Sequence, residues 1–244
     1  MIGGGSRALP ASGSMIALAP VPPPLPSWAN RAERERLLDD LQREMLVCAR
    51  CVNAGYLRMA NGVAGFRGKI GDRLMIVGQA PGHLSVERGE PFSGPSGRVL
   101  DGWLRRAGFA PGALRTEVYL SAMTKCDPGR HPKGNGDRKP SLPELALCRP
   151  FLLRELELVR PYVIVLVGGM AIEGFLGPSK LEEVVGTAQT RSGVHLLPLP
   201  HPSGVSRWLN DPAHQALVER ALDLLGGWRM EWIREDSTNG GTHG

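Results

Sequence analysis

No stretch of the 244 residues approaches the roughly 18 uninterrupted apolar residues that a membrane-spanning helix needs, which excludes an integral helical membrane protein. Cysteine is scarce. The four present, Cys48, Cys51, Cys126 and Cys148, are too few and too scattered for a disulfide framework in a chain of this length. Aromatic residues make up only 5%, so each one beside a motif carries unusual weight. Neither charge sign dominates: 29 Lys and Arg stand against 24 Asp and Glu, a net charge of +5 that suits a polyanionic partner without proving one. There is no internal repeat. With 42% hydrophobic and 22% charged residues, global disorder and a fibrous protein are also excluded, and the length fits one domain with tails.

Residues 1–27 read as a Pro/Gly-rich tail, ending in Pro22-Pro23-Pro24-Leu25-Pro26, which makes no packed element. They form a poor export signal, because Arg7 is the only basic residue and Pro10, Ser12, Gly13 and Ser14 interrupt any apolar core. A reducing, cytoplasmic setting follows, in which Cys48-Ala49-Arg50-Cys51 reads more naturally as part of a metal site than as a disulfide. Residues 235–244 read as a second tail, leaving a folded body over 28–234.

Within the body, apolar positions at helical spacing predict a first helix capped by Ser27 or Asn30 and carrying Leu37, Leu38, Leu41, Met45 and Leu46. A strand is expected at 74–77, a Gly/Pro-rich loop at 78–97, and then a helix through Val99, Leu100, Trp103, Leu104 and Ala107 stopped by Gly108. Further strands are expected at 118–120, 162–167 and 194–199, with helices at about 143–158 and 212–226. The alternation predicts an α/β fold: a three-layer α/β/α arrangement with a central, mainly parallel four-stranded sheet. Ligands in such folds bind beyond the carboxyl ends of the strands, where the loops 78–97 and 200–208 emerge.

Three constellations could carry chemistry. Four cysteines could complete a four-thiolate site for zinc or an iron-sulfur cluster, spacing alone not choosing between them; the competing reading is a Cys48/Cys51 redox pair with Cys126 and Cys148 as small core residues. Gly78-Gln79-Ala80-Pro81-Gly82-His83, followed by Gly89 to Gly97, offers bare backbone N–H groups at a helix start, suited to a phosphate or merely to a tight connection. His201-Pro202-Ser203 leaves a strand, where His201 could donate to a ligand oxygen and Ser203 could meet a phosphate, or where the histidine is structural.

Taken together, GQAPG at 78–82, GEPFSGPSG at 89–97, Lys125-Cys126 and HPS at 201–203 resemble, in order and spacing, the motifs of the uracil-DNA glycosylase superfamily, most closely its iron-sulfur branch, family four. The likeness spans roughly residues 45–226. It implies a DNA repair glycosylase that flips a deaminated base, uracil first, out of DNA and hydrolyses its N-glycosidic bond, acting as a monomer with damaged DNA as partner. It also implies a [4Fe-4S] cluster on Cys48, Cys51, Cys126 and Cys148, with zinc as the alternative. Phe92 matches the aromatic that stacks on the flipped base and His201 the histidine that hydrogen-bonds its carbonyl. The loop from Val205 to Trp208, with Arg207, matches the segment that enters the duplex. Ser93, Gly94, Ser96 and Ser203 are the expected phosphate grips, and the loop with Arg130, His131, Lys133, Arg138 and Lys139 a further one.

The chain departs from the family at the acids. Gln79 stands where the family has Glu, Ala80 where another branch has its water-activating Asp, and Ser85 at a second acidic position. Ala122 replaces the Asn that reads the uracil edge. His83 is then the candidate to position water. These losses motivate two alternatives: a broad-range glycosylase that also accepts hypoxanthine or xanthine, and a catalytically weak lesion-binding protein of the same fold.

Overall fold

Asn30 opens the first helix by accepting the Glu33 N–H on its side chain at 2.9 Å, so α1 (Arg31–Leu46) begins there rather than at Ser27. The computed structural model describes residues 30–62, 65–131, 136–203 and 207–239; the expected tail at 1–27 lies outside them. After a short α2 (Arg50–Asn53), the chain runs β1 (Leu74–Gly78), α3 (His83–Arg88), α4 (Pro95–Arg106), α5 (Ala113–Thr116), β2 (Val118–Ala122) and α6 (Leu142–Val159). It continues with β3 (Val163–Val167), α7 (Gly169–Leu176), α8 (Leu181–Val184), β4 (Gln189–Arg191), β5 (Val194–Leu199), a 3-10 turn (Arg207–Asn210) and α9 (Pro212–Asn239).

The sheet order is β2-β1-β3-β5-β4, with the first four strands parallel and β4 antiparallel to β5. The three-layer expectation holds, with one correction: the sheet has five strands, not four. The addition is the polar edge of a hairpin turning at Ser192-Gly193, and its three residues carry no apolar alternation to announce it. Side chains alternate across the sheet. Met75, Val77, Ile164 and Leu166 face a core shared with α1, α6 and α7, whereas Leu74, Ile76, Val163, Val165 and Val167 face one shared with α4 and α9.

Two helix ends are instructive. A capping box, Ser141 with Glu144, starts α6, and Arg34 of α1 donates to the Leu158 and Val159 carbonyls at its far end, tying the two helices together. At the C-terminus, α9 passes through Gly226 and Gly227 and reaches Asn239, correcting the expectations that the helix ends near 226 and that a tail begins at 235. Trp232, 8% exposed and edge-on to Phe109 and Tyr162, anchors the extension. Among the described residues no helix is long and apolar enough to cross a membrane.

Candidate active site

The chain moves from β1 to β2 on one side and returns through β3 on the other, so the loops beyond the carboxyl ends of these strands diverge and leave a crevice. A cavity of about 480 Å³ occupies it. Gln79, Ala80 and His83 after β1, Phe92, Gly94 and Ser96 before and within α4, Ala122 at the end of β2, and His201 and Ser203 after β5 all line it. Nine of the expected site residues, drawn from four segments of the chain, thus share one space.

Phe92 is held with effort. Its φ of 54° is left-handed, a conformation that costs a non-glycine residue about 1–3 kcal/mol and persists only where its surroundings enforce it. Arg115 enforces it, donating from Nη1 to the Pro91 carbonyl at 2.5 Å and from Nη2 to the Phe92 carbonyl at 2.9 Å. The motif glycines give it room: a β-carbon on Gly97 would lie 1.7 Å from the Phe92 oxygen, and one on Gly78 would lie 2.9 Å from the ring. The ring therefore lies across the end of β1, half-buried, facing the cavity.

His201 rests against Gly168 at the end of β3. Its Nδ1 accepts the Ser203 backbone N–H at 3.2 Å, which leaves the neutral ring's proton on Nε2. Desolvation lowers its pKa below the usual histidine value of 6.5, so a neutral donor is the resting form. His83 sits on the rim with Nε2 3.2 Å from Glu87.

Other expected residues fall elsewhere. Ser93 does not line the cavity; its hydroxyl donates to the Glu90 carbonyl at 2.6 Å and its carbonyl accepts from Arg88, so it shapes the turn. Arg207 is exposed on the 3-10 turn, outside the cavity lining. Trp208 is packed, stacking on His214 at 4.1 Å against the α9 side of the core, rather than projecting as a wedge. Val205 and Lys133 lie outside the described residues. Arg130 lines the cavity, but Arg138 is committed to Glu144 through two 2.7 Å bonds.

Two further residues beside the cavity carry no sequence signal. Asp137 is the one carboxylate among the described residues lining the cavity, and Arg115 carries the clamp on Phe92. Both sit outside the motifs, and only the fold brings them in.

The four cysteines line a second, smaller void beside Thr124, Lys125, Glu144 and Phe151. Cys48 follows α1, Cys51 lies in α2, Cys126 follows β2 and Cys148 lies in α6; none is disulfide-bonded. The Lys125 backbone N–H donates to Cys148 Sγ at 3.1 Å, and the Asn61 side chain pins Asp127 beside Cys126. Burial pushes the thiol of Cys51 up to about 11 and that of Cys148 to about 12, and raises that of Cys126. Among the described residues no three His, Cys, Asp or Glu side chains converge closely enough to hold a single metal ion.

Residues 66–225 match the family model described as the uracil DNA glycosylase superfamily. The chain is 30% identical over 189 residues to the Type-4 uracil-DNA glycosylase of Thermotoga maritima, covering 76% of this chain and 92% of that protein. With the Pyrobaculum aerophilum protein of the same name the identity is 31% over 199 residues, covering 78% and 93%. With the Archaeoglobus fulgidus protein, again a Type-4 uracil-DNA glycosylase, it is 33% over 137 residues, covering 56% and 62%.

Proposed function

Since the chain belongs to the uracil DNA glycosylase superfamily and is similar to its Type-4 members, we propose that it excises uracil from DNA by hydrolysing the N-glycosidic bond, leaving an abasic site. The observation that carries this reading is the single cavity at the strand ends into which Gln79, Phe92, Ala122 and His201 all open. A base inside a duplex must leave the stack before its sugar bond can be attacked, and a pocket with an aromatic face and a hydrogen-bond donor is what an extruded base needs.

Each residue then has a task. Phe92 stacks on the base. His201, neutral with its proton on Nε2, donates to the base oxygen and stabilises the negative charge that develops as the base departs. Gly94, Ser96, Ser203 and Arg130, which line the cavity, supply backbone N–H groups, hydroxyls and positive charge to the phosphates flanking the flipped nucleotide.

The cysteines form the second site. Four thiols around one void, one of them already accepting a backbone N–H, fit a [4Fe-4S] cluster, in which each sulfur meets its own iron. They fit zinc less well, because a tetrahedral zinc site draws all four sulfurs to about 2.3 Å from one point. The cluster's contribution when bound is structural, joining α1, α2, the end of β2 and α6.

Ala122 favours a second reading of the substrate range. Where an Asn amide would read the base edge there is a methyl group, and the adjacent Ser121 hydroxyl is buried and engaged with Glu155 and Lys125. Hypoxanthine and xanthine, the deamination products of adenine and guanine as uracil is of cytosine, meet less discrimination at such a wall.

The experiment is excision on duplexes carrying one uracil, hypoxanthine or xanthine, followed by alkaline cleavage of abasic sites. Cleavage at uracil alone supports the narrow reading and cleavage at several bases the broad one. Binding without cleavage at any would replace both with a lesion-binding protein.

A further inference from the structure

The first-motif positions where this family carries its acids hold Gln79, Ala80 and Ser85, none of which takes a proton at neutral pH. The cavity nevertheless contains a carboxylate. Asp137 enters it from the loop after β2, which folds back on itself through an antiparallel bridge between Arg130 and Asp137. Two backbone bonds of 2.8 Å, His131 N–H to the Gly136 carbonyl and Arg138 N–H to the Gly129 carbonyl, lock the turn. The next side chain, Arg138, is fixed to Glu144 at the start of α6. The carboxylate is thereby pressed against the first motif: a β-carbon on Gly82 would lie 2.9 Å from Asp137 Oδ2.

Resting on the glycosylase reading, we propose that Asp137 is a catalytic residue of this protein, holding the attacking water and accepting its proton in place of the acid missing from 79–85. The bond between C1′ of the sugar and the base nitrogen breaks, its electron pair leaving with the base. The water oxygen forms the new bond to C1′, and the proton it sheds passes to the Asp137 carboxylate and from there to solvent. The departing base, its oxygen held by His201, takes a proton from solvent. No other reactant is needed.

The surroundings suit a base. Partial burial, reinforced by the Asp127 charge, raises the Asp137 pKa, while Arg130 and His83 oppose the rise. A carboxylate made more basic than usual accepts a proton from water more readily. The residue is also open to solvent, as a group that must meet water has to be.

A purely structural role is the alternative, since the carboxylate also packs against Gly82. Asp137→Asn separates the two, because the amide keeps the shape of the side chain against Gly82 but takes no proton. Single-turnover excision of uracil should fall about 100-fold or more, the usual size of a lost general base. Affinity for a duplex carrying the uncleavable 2′-fluoro-deoxyuridine, and the melting temperature, should stay at wild-type values. Asp137→Glu should recover part of the rate. Wild-type rates in Asp137→Asn would overturn the inference and leave the glycosylase reading standing. Parallel losses of rate, affinity and melting temperature would overturn it in favour of the structural role. A wild-type protein that excises none of the three deaminated bases would remove the reading and the inference together.

Discussion

Lys125 Nζ lies 2.5 Å from Glu155 Oε2 in an ion pair whose side chains are only 2% and 0% exposed. Around it, Tyr119 and Ser121 donate to Glu155 at 3.1 and 2.8 Å, and Lys125 donates to Ser121 and the Ala122 carbonyl at 2.6 and 2.8 Å. The network fixes the end of β2, whose Ser121 and Ala122 form a wall of the cavity. The same Lys125 donates its backbone N–H to Cys148 and precedes Cys126. One residue therefore couples the cysteine void to the pocket proposed to hold the base.

Removing one partner of this pair leaves a charge stranded out of water. Glu155→Gln should cost about 3–5 kcal/mol. Lys125→Met combined with Glu155→Gln should cost much less than the two single losses added together. Denaturant unfolding of the two single variants and the double variant measures the coupling directly, and additive losses would show that the pair is not a unit.

The placement of Phe92 gives a second expectation. Arg115→Ala removes both bonds that hold its carbonyl and that of Pro91 while leaving the aromatic ring intact. Stability should fall by about 1–3 kcal/mol, the bonds being charge-assisted and partly buried. Excision should fall because the ring is no longer presented to the base. Gly97→Ala should be worse on both counts, since its β-carbon would overlap the Phe92 oxygen at 1.7 Å. Steady-state kinetics beside thermal melts would separate the two effects.

Much of this arrangement was legible in the sequence where one local signal sufficed. Buried apolar strands, the Asn30 cap and the motif loops each declare themselves within a few residues. Partnerships made by the fold did not. Arg115 is an ordinary charged residue in a short helix until β1 and α4 bring the Phe92 turn against it. Asp137 lies in a stretch whose composition says only surface loop. The continuation of α9 was hidden because Gly226 and Gly227 are poor helix formers, a penalty outweighed by burying Trp232 against Phe109 and Tyr162. Trp208 resembles a wedge in the sequence because sequence does not reveal that His214, six residues on in α9, stacks against it.

The state of His201 can be checked without DNA. Its lowered pKa and its acceptor bond at Nδ1 predict a ring that stays neutral, protonated on Nε2, until the pH falls below 6.5. Because the unfolded chain takes up that proton first, the histidine's contribution favours the native state least in acid, and stability should decline as pH drops through 6.5. Imidazole NMR shifts of selectively labelled protein would report both tautomer and titration. His201→Ala should then slow excision about 100- to 1,000-fold, the scale of losing one donor to a developing anion, with little change in DNA affinity. Equal losses in both would mean that the ring binds rather than catalyses.

Replacing Cys148 tests whether the second site holds iron and what it does for the fold. The thiol is 8% exposed in the body of α6, so serine there would leave a hydroxyl among apolar neighbours as well as removing a ligand. Cys148→Ser should lower the iron and acid-labile sulfide content and bleach the visible absorption of anaerobically purified protein. Cys148→Ala separates the effects, since it removes the ligand without burying a hydroxyl. If ligation is what matters, both variants should lose the cluster and melt at similarly reduced temperatures. If Cys148 is only a core residue, the alanine variant should keep a full complement of iron and the serine variant alone should be destabilised. Stoichiometric zinc without iron in the wild-type protein would instead assign the thiols to a mononuclear site, and would require them to close in from the positions they hold around the void.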